Sequence, residues 1–450
     1  MSPSTVAVAT PLKNWSREAA LADAVVEAHA AYAAGNPASL RRHEAACRVM
    51  PGGNTRTVLH YEPFPLAFQK ADGCHLWSVD GRRYLDILNE YTAGLYGHSH
   101  PTILRALRGA LDAGISFGGH NMMEARLAEL ICERFPSVEL IRFTNSGTEA
   151  NLMAVAAATA VTGRKGVLVF HGGYHGGVFS FASGGSPTNA PYDFVVGTYN
   201  DVEGTRAVLD KAGPSLAAIL VEPMLGAGGC IPATAEFLQL LRSGATRAGA
   251  LLIVDEVMTS RLSPGGLAAV HGIKPDLLTL GKYLGGGMSF GAFGGETSIM
   301  KRFDPSRPDA LPHAGTFNNN VLSMAAGVAG LSEIFTPAAC IELNERGDKL
   351  RDDLNKLFQD RSVALQVVGY GSLMTIHATA SPIRTPADLS TSDQHVKELM
   401  FFDLLEEGIW LARRGMITLS LPLGSSECDS IVDAMDRFVH RRAALLKVAT

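Results

Sequence analysis

The stretch ALLIVDEV, residues 250–257, decides the fold. Five consecutive apolar residues end in the carboxylates Asp255 and Glu256, which is typical of a strand that is buried on both faces and carries polar groups at its carboxyl end. Other apolar runs of this kind are ELIRFTN (139–145), KGVLVF (165–170), AAILVEP (217–223) and PDLLTLGK (275–282). Segments with helical character lie between several of them. The alternation predicts an α/β fold with a mostly parallel sheet covered by helices on both faces.

The remaining segments are predicted to extend this unit at both ends. The chain has 450 residues, of which 46% are apolar and 18% charged, so it can bury a large core in more than one unit. Two N-terminal helices and a hairpin in PLAFQKADGCHLWSVDGRRYLDIL (65–88) are predicted first, and long helices with few strands follow residue 325. We predict an N-terminal segment 1–75 that belongs to a small domain, a large domain 76–325, and a C-terminal small α+β domain 326–450.

Charge and cysteine content argue against several classes of protein. The net charge is −5 with Lys and Arg scattered along the chain, so no nucleic-acid surface is predicted. None of the six cysteines stands two residues from another, so we predict no metal site and no redox pair. The opening residues do not resemble a secretory signal, and no stretch is apolar enough to span a bilayer. We therefore expect a cytoplasmic protein that has no contact with a membrane.

Polar residues follow several predicted strands, at the edge where open α/β sheets bind their ligands. Lys282 precedes three glycines (285–287), and a lysine desolvated there can act as a nucleophile or be purely structural. Asp255 needs a partner, which could be a salt bridge, a helix N-terminus or the protonated ring nitrogen of a cofactor. Glu222 closes the preceding apolar run. Asp255 and Glu256 would also suit a nucleotide hydrolase, but the chain has no GxxxxGK[ST] loop.

Three loops could bind a phosphate and a planar ligand. The segment Asn145-Ser-Gly-Thr-Glu149 opens a helix, where free backbone N–H groups bind a phosphate or only receive a cap. The segment Gly172-Gly-Tyr-His-Gly-Gly177 would bring Tyr174 flat against a ring, or form a plain turn. The segment Gly315-Thr-Phe-Asn-Asn-Asn320 could supply a hydroxyl from Thr316, or cap the following helix. In combination with Asp255 and Lys282 these loops match the needs of pyridoxal phosphate (PLP).

The motifs resemble those of class III aminotransferases of fold type I. They are SGTEAN, FHGGYHG, VEPM, DEVMTS, LGKYLGGGMSFGAFGG and GTFNNN, and the resemblance runs from about Pro51 to the C-terminus. Within that class the chain resembles the branch that contains glutamate-1-semialdehyde aminomutases and β-phenylalanine aminotransferases. The resemblance implies a large domain with a seven-stranded sheet, PLP as the cofactor, and a homodimer whose subunits share their active sites.

The resemblance also implies a role for each cofactor-binding residue. Lys282 carries PLP covalently and moves the proton during catalysis, while Asp255 keeps the ring nitrogen protonated. Val257 packs under the ring and Tyr174 stacks on its other face. The remaining implied cofactor contacts are Ser146, Gly147, Thr148, His175 and Glu222, with Thr316 reaching the phosphate in the neighbouring subunit.

Two arginines are the candidates for substrate recognition, because a guanidinium binds a carboxylate with two parallel hydrogen bonds. Arg56, in PGGNTRTVLHYEPFPL, resembles the arginine that binds the carboxylate of the β-amino acid, although it could be an ordinary surface arginine. Arg414, in GIWLARRGMITL, resembles the arginine that binds the α-carboxylate of 2-oxoglutarate or glutamate. Ala412 precedes the arginine pair where Ser-Pro is more usual, so the loop path is open. Tyr91 and Met258 complete the predicted substrate site.

The resemblance implies a transaminase that moves the amino group of a β-amino acid such as β-phenylalanine to a 2-oxo acid such as 2-oxoglutarate. The alternatives are a glutamate-1-semialdehyde 2,1-aminomutase and a broader amine transaminase. An aminomutase typically has Asn-Ser-Pro-Val-Arg where this chain has Asn54-Thr-Arg-Thr-Val58, has Pro in place of Ser289, and needs no second carboxylate clamp such as Arg414. A nicotinamide oxidoreductase would need GxGxxG after a first strand. A non-enzymatic binding module would be expected to lose Lys282 or Asp255.

Overall fold

Helices and strands alternate through the middle of the chain in the computed structural model, which describes residues 13–182 and 184–446. Residues 1–12, for which we expect no secretory signal, lie outside the described residues. In chain order the α-helices are α1 Lys13–Gly35, α2 Pro37–Cys47, α3 Pro101–Ala113, α4 Met122–Arg134, α5 Gly147–Thr162, α6 Val202–Ala212, α7 Ala235–Ala248, α8 Leu267–Val270, α9 Thr297–Met300, α10 Val321–Ala329, α11 Pro337–Asp360, α12 Gln394–Glu406, α13 Ser425–Arg441 and α14 Ala443–Leu446.

The strands form three larger sheets and one short hairpin. In chain order they are β1 Phe68–Asp72, β2 His75–Ser78, β3 Arg83–Asp86, β4 Leu140–Thr144, β5 Gly166–Phe170, β6 Asp193–Gly197, β7 Leu216–Val221, β8 Met224–Leu225, β9 Ile231–Pro232, β10 Leu251–Asp255, β11 Leu277–Gly281, β12 Gly291–Gly295, β13 Gln366–Tyr370, β14 Leu373–His377, β15 Ile409–Trp410 and β16 Met416–Thr418.

The central sheet has seven strands in the order β4-β12-β11-β10-β7-β5-β6. Only β12 runs antiparallel to its neighbours, so the predicted, mostly parallel seven-stranded sheet is confirmed. All five predicted strands occur, as β4, β5, β7, β10 and β11. The sequence analysis did not identify β6 and β12. The sequence of β12 is GAFGG, which lacks the apolar run of the other strands. A side chain at Gly291 would clash with the backbone, because its Cβ would lie 2.1 Å from the carbonyl oxygen of Ser146.

Both faces of the central sheet are buried. Ile253 of β10 packs in a cluster with the alanines of α5, whereas its neighbours Leu252 and Val254 pack in the cluster that contains Phe237 of α7. This alternation follows from the strand geometry, since successive side chains point to opposite faces. The apolar run that predicted β10 is therefore explained by helices on both sides.

The two smaller sheets join segments that are distant in the sequence. The predicted hairpin forms the antiparallel strands β1, β2 and β3, and β15 adds to β3 in parallel. The strands β13, β14 and β16 form the third sheet. The division into domains 1–75, 76–325 and 326–450 stays a prediction. Among the described residues no single helix is both long and apolar enough to cross a membrane, and only the bent pair 321–334 and 337–360 meets that test together.

Candidate active site

Asp255 is buried at the carboxyl end of β10 and accepts three hydrogen bonds. Its Oδ2 accepts from Nδ2 of Asn151 at 2.8 Å and from Nδ1 of His175 at 2.8 Å. Its Oδ1 accepts from the backbone N–H of Val257 at 2.9 Å. Asn151 is fixed in turn by the hydroxyl of Thr279, which donates to its Oδ1 at 2.8 Å. Donors on both oxygens fix the orientation of the carboxylate.

Lys282 follows β11, the strand beside β10, and begins a 3₁₀ turn. Its backbone φ of +54° lies in the left-handed region, which a non-glycine residue occupies only when the surrounding structure enforces it. Burial lowers the pKa of Lys282 to about 8, against the opposing effect of the Asp255 carboxylate. At neutral pH about a tenth of the amine is then uncharged and nucleophilic.

The first turn of α5 meets the loop after β10 and the glycine loop after β5. Ser146 caps α5 with its side chain. A Cβ at Gly147 would lie 2.8 Å from Cγ1 of Val257, so the two residues are in direct contact and only glycine fits. A Cβ at Gly176 would lie 2.3 Å from Oγ1 of Thr148. Free N–H groups at such a helix N-terminus bind phosphate, and the close packing leaves the backbone accessible.

The loop that carries Tyr174 is held by Glu222. The backbone N–H of Tyr174 donates to Oε1 of Glu222 at 3.0 Å, and that of Gly226 donates to Oε2 at 2.9 Å. Burial raises the pKa of Glu222 to about 7, while the neighbouring His175 opposes the shift. The side chain of Tyr174 is nonetheless 47% exposed. Glu222 thus holds the loop that carries this half-exposed aromatic ring.

The predicted substrate residues converge on Tyr91. The Cζ atom of Arg414 lies 5.1 Å from the centroid of the Tyr91 ring, and that of Arg56 lies 5.7 Å from the same centroid. Met258 packs in the same apolar cluster as Tyr91. Arg56 also forms an ion pair with Glu90. The structure therefore brings together all four predicted substrate residues, although they come from distant segments.

Two residues that contact this site were not predicted. Asn151 lies within the SGTEAN motif, and its place three residues after Thr148, on the first turns of α5, was the signal that could have suggested it. Glu90 carried no comparable signal. It lies in the run 89–92, whose four residues all have φ between +47° and +84°. No periodic sequence pattern predicts such a turn.

Thr316 is exposed and lines a cavity of about 400 Å³ together with residues 115–121, Phe317 and residues 319–321. The sequence prediction for Thr316, contact with the phosphate of a neighbouring subunit, stays a prediction. So do the individual roles of the other site residues.

The chain belongs to the class III aminotransferases, because the family model described as aminotransferase class-III matches residues 58–440. It is 53% identical over 428 residues to a β-phenylalanine transaminase of Variovorax paradoxus, covering 95% of this chain and 98% of that protein. A solved structure of a β-phenylalanine aminotransferase from Variovorax paradoxus has a TM-score of 0.94 at 52% identity, with 96% and 100% of the two chains covered. A glutamate-1-semialdehyde 2,1-aminomutase of Heliobacterium modesticaldum is 35% identical over 382 residues, covering 81% and 87%.

Family membership confirms the predicted fold type and the predicted PLP-dependent aminotransferase. It excludes the nucleotide hydrolase and the nicotinamide oxidoreductase. The cofactor of the family is PLP, and the residues described above fit it. Asp255 presents a fixed carboxylate, Tyr174 a half-exposed aromatic ring, α5 an N-terminus that begins at a closely packed glycine, and Lys282 an amine of lowered pKa.

Proposed function

We propose that the protein is a transaminase that moves the amino group of a β-amino acid, such as β-phenylalanine, to a 2-oxo acid, such as 2-oxoglutarate. The observation that carries this proposal is the convergence of Arg56 and Arg414 on Tyr91. Each guanidinium group can bind the carboxylate of one of the two successive substrates, and the aromatic ring between them can contact an apolar substrate side chain. The activity named for the Variovorax relative supports the same substrate class.

On the cofactor side, the protein controls charge and protons. When bound, PLP supplies an electron-withdrawing ring that acidifies the substrate carbon bearing the amino group. Asp255, oriented by Asn151 and His175, would hold the ring nitrogen of the cofactor. Lys282 would hold the cofactor covalently in the resting enzyme, and its amine would be the base that takes the proton from the substrate carbon and later gives a proton back.

On the substrate side, Arg56 binds the carboxylate of the β-amino acid. Its ion pair with Glu90 does not prevent this, since a guanidinium has five N–H donors and a second edge remains for the ligand. Arg414 binds the α-carboxylate of the 2-oxo acid. Tyr91 contacts both guanidiniums and, with Met258, forms the apolar wall for the substrate side chain.

An aminomutase does not need two carboxylate clamps, because its amino group returns to the same carbon skeleton. The position of Arg414 against Tyr91 therefore favours the transaminase. A broader amine transaminase would accept amines without a carboxylate, and for such substrates Arg56 would be dispensable.

The protein is further proposed to act as a homodimer in the cytoplasm. Exposed apolar side chains, including Ile115, Phe117, Met122 and Phe317, cluster around the cavity lined by Thr316. A contiguous exposed apolar surface of this kind is typical of a contact between subunits. A second copy seated there would place Thr316 at a shared site. The free cysteines suit a reducing compartment.

The visible absorption spectrum of the purified protein tests the proposed activity. Addition of β-phenylalanine without a 2-oxo acid should bleach the yellow lysine-bound cofactor, and 2-oxoglutarate should restore it. Lys282→Ala is the control, and it should show neither change. A yellow protein that ignores β-phenylalanine but isomerises glutamate-1-semialdehyde would replace the transaminase by the aminomutase. A protein that bleaches equally with simple amines would indicate the broader transaminase.

A further inference from the structure

A cavity of about 560 Å³ is lined by Arg414 and by Tyr174. Parts of the segments 172–182, 227–229 and 386–397 line it, together with two residues of β14. The described residues that line this cavity include the cations Arg414 and Lys397 and no carboxylate. A cavity of this size and charge can accommodate a small anion.

Lys397 of α12 is the unusual residue of this cavity. It is only 7% exposed, and among the described residues no carboxylate lies within salt-bridge distance of its Nζ atom. Burial, with a smaller contribution from the positive charge of Arg414, lowers the pKa of Lys397 to about 8. A buried ammonium group without a partner is costly, so such a residue usually serves a ligand.

A second polar group of this cavity is the buried hydroxyl of Thr375 on β14. Among the described residues it has no nitrogen or oxygen partner, and only the thiol of Cys230 lies within reach. The neighbouring His377 adds no charge, because burial lowers the pKa of His377 to about 4 and its Nε2 lies 2.9 Å from the carbonyl oxygen of Gly229. The cavity thus offers an ammonium group and a free hydroxyl donor, which together suit a carboxylate.

We propose that Lys397 and Thr375 bind the distal carboxylate of a dicarboxylic 2-oxo acid whose α-carboxylate is held by Arg414. This inference rests on the proposed function, since it names the acceptor class of the same site. The alternative cation for the distal carboxylate is Arg56, but Arg56 does not line the cavity that Arg414 and Lys397 share, and Lys397 has no carboxylate partner among the described residues. A dicarboxylate bound in this way would neutralise two cations that face one cavity.

The proposal separates the substrates into two groups. A dicarboxylic acceptor such as 2-oxoglutarate uses Lys397, whereas a monocarboxylic acceptor such as pyruvate does not. The β-amino acid has one carboxylate, which Arg56 binds, so the first half-reaction does not depend on Lys397. Removal of a buried, charged hydrogen-bond donor typically weakens binding about ten- to a hundredfold.

The test compares Lys397→Met, which keeps the length of the side chain, with Lys397→Arg, which keeps the charge. Arg413→Met is the matched control, because it removes an exposed cation next to Arg414 that pairs with Glu398. For each holoenzyme we would measure the half-reactions with β-phenylalanine, 2-oxoglutarate and pyruvate. Binding of glutarate, an unreactive dicarboxylate, would be measured by calorimetry, and thermal unfolding would report on folding.

The expected result is a rise of at least about tenfold in the KM for 2-oxoglutarate and in the Kd for glutarate in Lys397→Met, with pyruvate and β-phenylalanine unchanged. Lys397→Arg and Arg413→Met should stay close to the unmodified protein. Equal losses with pyruvate and 2-oxoglutarate, or no loss with either, would overturn the proposal. If the proposed transaminase activity is wrong, the unmodified protein will not transaminate. The glutarate measurement does not depend on that activity, so it would still show whether Lys397 binds a dicarboxylate.

Discussion

The part of the site around Asp255, which we call the cofactor side, and the part around Arg56, which we call the substrate side, are built in different ways. Asp255 is buried, and its three contacts come from α5, from the glycine loop after β5 and from the turn after β10. Around Arg56 the groups are open to solvent, with side chains 42% exposed in Arg56 and 58% in Glu90. Arg56 and Glu90 also lie in short irregular segments, not in long helices or strands.

This difference matches what each side has to do. The cofactor stays bound through the whole cycle, so a carboxylate with one fixed orientation suits it. Preorganised electrostatic stabilisation is usually the largest single contribution to catalysis. The substrate side receives two different molecules in turn, and groups that can exchange partners suit that task. Substitutions on the cofactor side should therefore cost more than substitutions on the substrate side.

The largest effect is expected for Asp255→Asn. The amide has nearly the same shape but no charge, and its NH₂ group would face the donors on Asn151 or His175. Turnover should fall about a hundred- to a thousandfold, with weaker retention of PLP. Steady-state kinetics and spectroscopic titration with PLP measure both. Glu222→Gln is the comparison, because Glu222 is also buried but its hydrogen bonds go to the backbone of a loop, and an equal loss there would contradict the special role of Asp255.

Gly147→Ala should have the next largest effect. The new methyl group would lie within 3 Å of both Cγ atoms of Val257, and overpacking of this kind costs about 1–3 kcal/mol. We expect a lower melting temperature and a weaker affinity for PLP. The double variant Gly147→Ala with Val257→Ala removes the clash and should recover much of the loss. Additive losses would mean that the two residues act independently.

The same contrast explains how much the sequence could predict. Five of the six parallel strands of the central sheet, together with Asp255, Lys282 and Gly147, follow from local patterns: apolar runs, residues at strand ends and a helix start. The strand β12 escaped prediction because its glycines are required by close backbone packing, which only the folded sheet reveals. The strand β15 pairs with β3 across more than 300 residues, and no local pattern contains that contact.

On the substrate side, resemblance supplied Arg56 and Arg414, but the sequence could not show what they touch. Their meeting at Tyr91 depends on three segments that only the tertiary structure brings together. The ion pair of Arg56 with Glu90 depends on the left-handed run 89–92, which is held by Asp86 and by the carbonyl of Thr418. Residues of ordinary propensity adopt that conformation because the surroundings enforce it.

Arg56→Met tests the substrate side directly. The KM for β-phenylalanine should rise about tenfold, because a partly exposed guanidinium contributes less than a buried one. The KM for pyruvate should not change, since Arg414 binds its carboxylate. Arg56→Lys should restore little, because an ammonium group cannot form the paired hydrogen bonds. An increase that is equal for both substrates would contradict the division of roles between the two arginines.

Lys282 gives the cofactor side a pH dependence. The covalent reaction of PLP with the apoprotein needs the neutral amine, whose fraction rises with pH up to the pKa of about 8. The second-order rate constant should therefore rise nearly tenfold from pH 6 to pH 7 and level off above pH 8. Stopped-flow absorbance of the bound form measures it. A rise that continued towards pH 10 would mean that Lys282 has the pKa of an ordinary lysine.

Glu90→Gln should have the smallest effect on stability and substrate binding. It tests whether Arg56 can exchange its ion pair with Glu90 for the carboxylate of the substrate. An exposed ion pair contributes about 0–1 kcal/mol, so the melting temperature should hardly change. Arg56 would lose a competing carboxylate, and the KM for β-phenylalanine should therefore fall by a few fold. Glu333→Gln, which breaks a similar exposed pair with Arg105 on the surface, is the control. If Glu90→Gln instead weakened β-phenylalanine binding, Glu90 would be holding Arg56 in position, and the substrate side would be preorganised like the cofactor side.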